Sequence, residues 1–204
     1  FSHFDINATA SLDPNAPALA FSLVDNIRIT DPCLGDVEAP TITPPADIIV
    51  PATSPAGAVV NLEVTATDNC QNPVSVVCEP QSGSTFPIGL TIVACTAEDA
   101  AGNATISGFT FTVKNASEQV TDLIGEVNGL PILPGLKNSL VVKLFATEAA
   151  LGGGSATAAC GTLAAFIAEV SAQAGERQFA QDQADELIEA ASRIRTVLGC
   201  APAP

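Results

Sequence analysis

The chain has 204 residues, 47% of them hydrophobic, and carries 22 acidic against 7 basic side chains for a net charge of −15. That is enough apolar material for a core in each of two small domains, while Lys and Arg this sparse exclude a phosphate-neutralising nucleic-acid surface. No apolar run approaches the roughly 20 residues that cross a bilayer. Six cysteines without a CxxC pair, beside a single histidine, do not make a zinc site; three disulfides in an oxidising, extracellular compartment are expected instead. No basic n-region or apolar h-region opens the chain at Phe1, so a mature or excised segment is expected. With no Tyr or Trp, the aromatic platforms of sugar-binding sites have no obvious source.

Residues 1–32 hold two strand-like runs around an Asp13-Pro14-Asn15 turn, and a lone hairpin of this kind is marginal. Its second run, ALAFSLVDNIRIT, resembles the last strands of the jelly-roll, carbohydrate-binding-like domains of secreted bacterial proteins. Only those last strands are present. Either the chain is a piece of a longer protein, or the strands complete a sheet of another subunit by strand donation. Residues 33–45 follow as a linker rich in Pro, Gly and acidic residues.

From Ala46 to Lys114 the period is two. Val60, Leu62, Val64 and Ala66 alternate with Asn61, Glu63, Thr65 and Thr67; Val74, Val76 and Cys78 alternate with Ser75 and Glu79; Phe109, Phe111 and Val113 alternate with Thr110 and Thr112. Short alternating runs between turn clusters predict an antiparallel β-sandwich. The segments PPADIIV, ATSPAGAVV, ATDNC, SGSTFPIG, CTAEDAAGN and FTFTV closely resemble the hyalin-repeat (HYR) family, an immunoglobulin-like module of extracellular adhesive and secreted bacterial proteins. Pro45 and Ser107 stand where many members carry a cysteine pair, consistent with the loss of one disulfide.

In an immunoglobulin-like sandwich the start of the first strand, the loop after the second strand and the last hairpin turn share one pole. Asp36, Glu38, Asp68, Asn69, Asp99 and Asn103 are thus expected to converge, and such oxygen ligands suit Ca²⁺. The same Asp and Asn residues are equally good turn formers. The pole also pairs Cys33 with Cys70, while the inward phases of Cys78 and Cys95 pair those two.

After Lys114 the period becomes 3.6. Val120, Leu123, Ile124 and Val127 form one stripe, Leu136, Leu140, Val141 and Leu144 a second, and Leu163, Phe166, Ile167 and Val170 a third. Ala184, Leu187, Ile188, Ala191, Ile194 and Leu198 form the clearest, opposite Asp182, Asp185, Glu186, Glu189 and Arg193. A small four-helix bundle over 115–200 is expected, with a frayed tail at 201–204. If its last two helices form a hairpin, Cys160 and Cys200 meet at one end. The segments LKNSLVVKLFATEAAL, CGTLAAFIAEVSAQAG and QADELIEAASRI resemble FIMAH, a helical module at the C-termini of secreted bacterial proteins, which implies an accessory role.

Catalysis has no obvious base, since His3 is the only histidine, and no phosphate-cradling glycine motif occurs. Asn7, Asn103 and Asn115 lie in glycosylation sequons. The expected protein is non-catalytic, extracellular and structural or adhesive: a spacer, or a filament or surface-layer subunit that self-associates through its N-terminal strands or binds other surface proteins. The alternative is a carbohydrate-binding or spacer accessory region of a secreted bacterial hydrolase, with polysaccharide as its partner. An enzyme remains only if another chain supplies the catalytic residues. Calcium is the one cofactor expected.

Overall fold

The structure, a computed structural model, describes residues 35–70, 74–175 and 180–201. The expected N-terminal hairpin over 1–32, with His3 and Asn7, lies outside the described residues, as does Cys33 of the expected linker. So do residues 202–204 of the expected tail.

Among the described residues, eight strands precede four helices. The strands are β1 (Thr41–Thr43), β2 (Ile48–Pro51), β3 (Ala58–Val59), β4 (Thr65–Thr67), β5 (Ser75–Glu79), β6 (Thr85–Phe86), β7 (Gly89–Glu98) and β8 (Ala104–Lys114). They make a four-stranded sheet in the order β2-β8-β7-β5 and two ladders, β1-β4 and β3-β6. Alternation decides which side of each strand is buried. Val93, Cys95, Ala97, Phe109, Phe111 and Val113 turn inward and leave at most 6% of their surface in water. At the centre the rings of Phe86 and Phe111 lie 4.5 Å apart, and burying each stabilises the fold by about 2–3 kcal/mol. The turn before β3 passes so close to Phe86 that only glycine fits at position 57. Its φ is +123°, and a Cβ there would sit 1.9 Å from the Phe86 carbonyl oxygen.

Three features depart from the sequence expectations. The ladders are mixed rather than antiparallel, because β2 runs parallel to β8 with Ile48 opposite Phe111 and Val50 opposite Val113. β2 lies at the sheet edge, where its last residue, Pro51, can stand without a ladder N–H. The expected linker 33–45 contains β1, in which Ile42 is 8% exposed and pairs with Ala66 of β4. Lastly, the alternating run 60–66 is ladder-bonded only at its end. Val60 and Leu62 point inward, but their backbone is held by Ser82, Gly83 and Ser84 of the facing loop.

The helices are α1 (Ala116–Gly129), α2 (Pro134–Gly152), α3 (Ala156–Gln173) and α4 (Gln181–Val197). Asn115 begins α1 with a capping box: its side chain accepts from the Glu118 N–H at 3.0 Å and the Glu118 carboxylate accepts from the Asn115 N–H at 2.8 Å. Pro134 opens α2 where its missing N–H is harmless, and Ser155 caps α3. The helices pack α1 on α2, α2 on α3, α3 on α4 and α4 on α1, each turning its apolar stripe to the others. Leu123, Leu140, Leu144, Leu163, Phe166, Leu187 and Ile194 are at most 1% exposed. A buried Thr147 hydroxyl meets the Thr162 hydroxyl at 2.8 Å and also donates to the Lys143 carbonyl, so no polar atom is orphaned there.

Disulfides reinforce both regions. Cys78 and Cys95 face each other across the β5–β7 ladder, and Cys160 in α3 is joined to Cys200 just past α4. Cys70 is also disulfide-bonded; the partner expected from the sequence, Cys33, lies outside the described residues.

Candidate functional sites: the loop pole and the β–helix joint

At one pole, the segment entering β1 meets the loop after β4 and the β7–β8 turn. Five of the six residues expected there come together through their side chains. Asn103 Nδ2 donates to the Asp36 carbonyl at 3.2 Å and to Asp99 Oδ2 at 2.9 Å, and Asn69 Nδ2 donates to Asp36 Oδ1 at 3.4 Å. Asp68 Oδ2 accepts from the Cys70 N–H at 2.9 Å. One ligand atom each of Asp36, Asp68 and Cys70 lies within 4.8 Å of the others. Glu38 takes part through its backbone N–H, which donates to Asp36 Oδ1, and shows no carboxylate contact with the group.

The donor set decides what this cluster can hold. Both Asp99 oxygens are committed to the turn: Oδ1 accepts from Ala101 N and Asn103 N, and Oδ2 from the Asn103 amide. Burial raises this carboxyl, but the bonds from Asn103, Ala101 and Gly102 outweigh it and hold it below its ordinary value. Asn103 presents its amide nitrogen to its neighbours, and a glycan on that nitrogen would replace one of the two N–H donors that make these bonds. Cys70 is disulfide-bonded and offers no thiolate. A calcium cage needs six to eight oxygens, and the arrangement fits a hydrogen-bonded lock on three loops better. Asp36 and Asp68 are the two carboxylates of the cluster whose oxygens lie within 4.8 Å of each other.

At the opposite pole β8 runs into α1 with only Asn115 between them. Gln119, 3% exposed, donates from Nε2 to the Ala52 carbonyl just after β2 at 3.2 Å and to the Lys114 carbonyl at the end of β8 at 3.1 Å. Its Oε1 accepts from Arg193 Nε on α4 at 3.2 Å. Lys114 also pairs with Asp122 at 2.6 Å. These side chains line a cleft of about 340 Å³ with Pro51 and Glu126. Burial and the nearby Glu186 raise the Glu126 carboxyl above its ordinary range, Asp122 adding to this and Arg193 opposing it. Gln119 was invisible as a functional residue in the sequence, although its place four residues before Leu123, on the apolar stripe, was the available signal.

Among the described residues no helix is long and apolar enough to cross a membrane. No curated protein matches the chain. The disulfides point to an extracellular setting, and so does a family match: residues 35–114 fit the model of the HYR domain, a non-catalytic, adhesion-related β domain.

Proposed function

We propose that the chain is a non-catalytic extracellular spacer of an adhesive surface protein, an immunoglobulin-like sandwich and a four-helix bundle fused into one stiff rod. Continuity carries this reading: β8 becomes α1 through a single capping residue, and Gln119 ties the ends of β2 and β8 to α1 and α4. A flexible tether would have left a glycine- or proline-rich stretch at this joint. The disulfides resist unfolding where no cytoplasm maintains the protein. The helical region acts in this reading as the FIMAH-like accessory module of a secreted protein. Other extracellular surface proteins, copies of the chain included, are its partners, whether met side by side or by donation of the N-terminal strands. Calcium's place in this reading is the loop pole, where carboxylate oxygens of Asp36 and Asp68 lie within 4.8 Å of each other.

Backbone ¹⁵N relaxation on the full oxidised chain tests the rod. One rotational correlation time shared by strands and helices is expected, and separate tumbling of the two regions would sink the proposal. Sedimentation with insoluble cellulose or chitin addresses the accessory-region alternative, since specific retention of the chain would favour a polysaccharide-binding part of a hydrolase.

A further inference from the structure

The cleft at the β–helix joint holds two opposite charges that do not meet. Its volume of about 340 Å³ falls at the small end of the range for small-molecule sites, which favour boundaries between differently built regions. Arg193 reaches it from α4 and Glu126 from α1. Arg193 uses Nε on Gln119 Oε1 at 3.2 Å, and its two terminal nitrogens bond to nothing among the described residues. Glu126 likewise has no hydrogen bond or ion pair there. Burial and Glu186 raise the Glu126 carboxyl above its ordinary 4.5, and Arg193 opposes them. The two side chains thus sense each other, yet no ion pair within 4.0 Å joins them. Lys114 and Asp122, the other charges on the cleft, are closed on each other at 2.6 Å. Val50 and Pro51 of β2 and Leu123 of α1 supply apolar wall in the same cleft.

We propose that this cleft binds a free α-amino acid with an aliphatic side chain, its carboxylate on Arg193 and its ammonium on Glu126. The two unpaired groups select this class of ligand. A guanidinium whose terminal nitrogens are both uncommitted offers parallel N–H donors, the fork that a carboxylate takes in bidentate fashion. Gln119, buried and bonded to the ends of β2 and β8, fixes that guanidinium at its Nε before any ligand arrives. An ionised carboxylate only accepts, and an ammonium beside Glu126 would offset the negative charge that Glu186 adds there. Total charge excludes the simpler ligands. At −15 the chain repels a plain anion and attracts a plain cation over its whole acidic surface, so neither is held at this spot in particular. A molecule that carries both charges is neutral overall and fits where both partners stand together. Its aliphatic side chain then has Val50, Pro51 and Leu123 to cover it. The site goes beyond the spacer reading and stands without it.

Titration of the full oxidised chain with L-leucine, followed in ¹H–¹⁵N spectra at neutral pH, provides the test. Two fragments of the same molecule run beside it: 4-methylpentanoate, which lacks the ammonium, and isoamylamine, which lacks the carboxylate. L-leucine should shift the amides of residues 114–126 and 190–193 saturably, with a Kd on the order of 1 mM. Each fragment should bind roughly tenfold more weakly or worse. Glu126→Gln, at an exposed position, should weaken L-leucine by about the same factor while keeping the parent's melting temperature. Arg193→Gln should weaken it as much. Glu98→Gln, at the opposite pole, should leave binding unchanged. The proposal is overturned by a chain that shows no saturable shift, by a fragment that binds as well as L-leucine, or by binding indifferent to either cleft substitution. Weakening by Glu98→Gln would mark a diffuse response to charge and overturn it as well.

Discussion

Asp99 has the chemistry of a metal ligand and the position of a turn-maker, and its hydrogen bonds show which role it performs. Its carboxyl is held below the ordinary value of 3.8 by donors from Asn103, Ala101 and Gly102 that outweigh burial. A depressed carboxylate lends stability that is fully present above its unfolded value and disappears as pH falls through the folded one. Asp99→Asn is therefore expected to lower the urea midpoint at neutral pH, and the gap to the parent chain should narrow as pH falls below the ordinary value of 3.8 and through the lowered folded one. A gap of constant size across the acid limb would remove the carboxylate from the account. The meeting of Asp36, Asp68, Asn69, Asp99 and Asn103 was legible from loop position alone, because an immunoglobulin-like chain brings these loops to one end. Which atoms faced inward was not legible. Asn103 turns its nitrogen rather than its oxygen toward Asp36 and Asp99, and no residue pattern specifies an amide rotation.

At the level of elements, the helices were easier to read than the strands. Each apolar stripe is a local periodicity, and the Pro134 and Gly152–Gly154 breaks mark ends within a few residues. Strand pairing depends on partners far along the chain. The parallel register of β2 on β8 and the pairing of Thr41–Thr43 with β4 follow from contacts more than twenty residues apart in sequence, for which alternation carries no signal. The outward phase of β7 did carry one, since Leu90 and Ile92 are as apolar as the inward Val93. The Cys160–Cys200 bridge shows what a cross-link adds to an otherwise self-contained set of helices. It ties α3 to the end of α4 across a separation of 40 residues, and on the chain-entropy account its removal costs about 4 kcal/mol. Cys160→Ala with Cys200→Ala should shift far-UV unfolding of the helices to lower urea by that amount, with the Cys78–Cys95 bridge left in place. A loss under about 1 kcal/mol would mean that the unfolded chain is already compact without the bridge.

Across the whole molecule, the behaviour of two differently built regions depends on one buried glutamine. Gln119 satisfies two carbonyls, one after β2 and one at the end of β8, and accepts from Arg193 on α4. It is thus bonded to the strand ends on one side and to the helices on the other. Replacing it with leucine keeps most of its volume while stripping all three bonds. The Ala52 carbonyl then loses its bond from Gln119, whereas the Lys114 carbonyl still accepts from the Ala52 N–H at 3.0 Å. A loss of about 1–3 kcal/mol is expected for the unmet buried group. The form of the loss is more telling than its size. If the joint makes strands and helices one cooperative unit, the parent chain unfolds in a single transition with coincident probes. Gln119→Leu should split it, with the helices, lacking their tie to the strand ends, melting apart from the disulfide-bridged β5–β7 ladder. Calorimetry beside near- and far-UV circular dichroism reads both outcomes. Two transitions already present in the parent chain would mean that the regions are merely adjacent, and a single transition surviving in the variant would shift the coupling to the backbone continuity of β8 with α1.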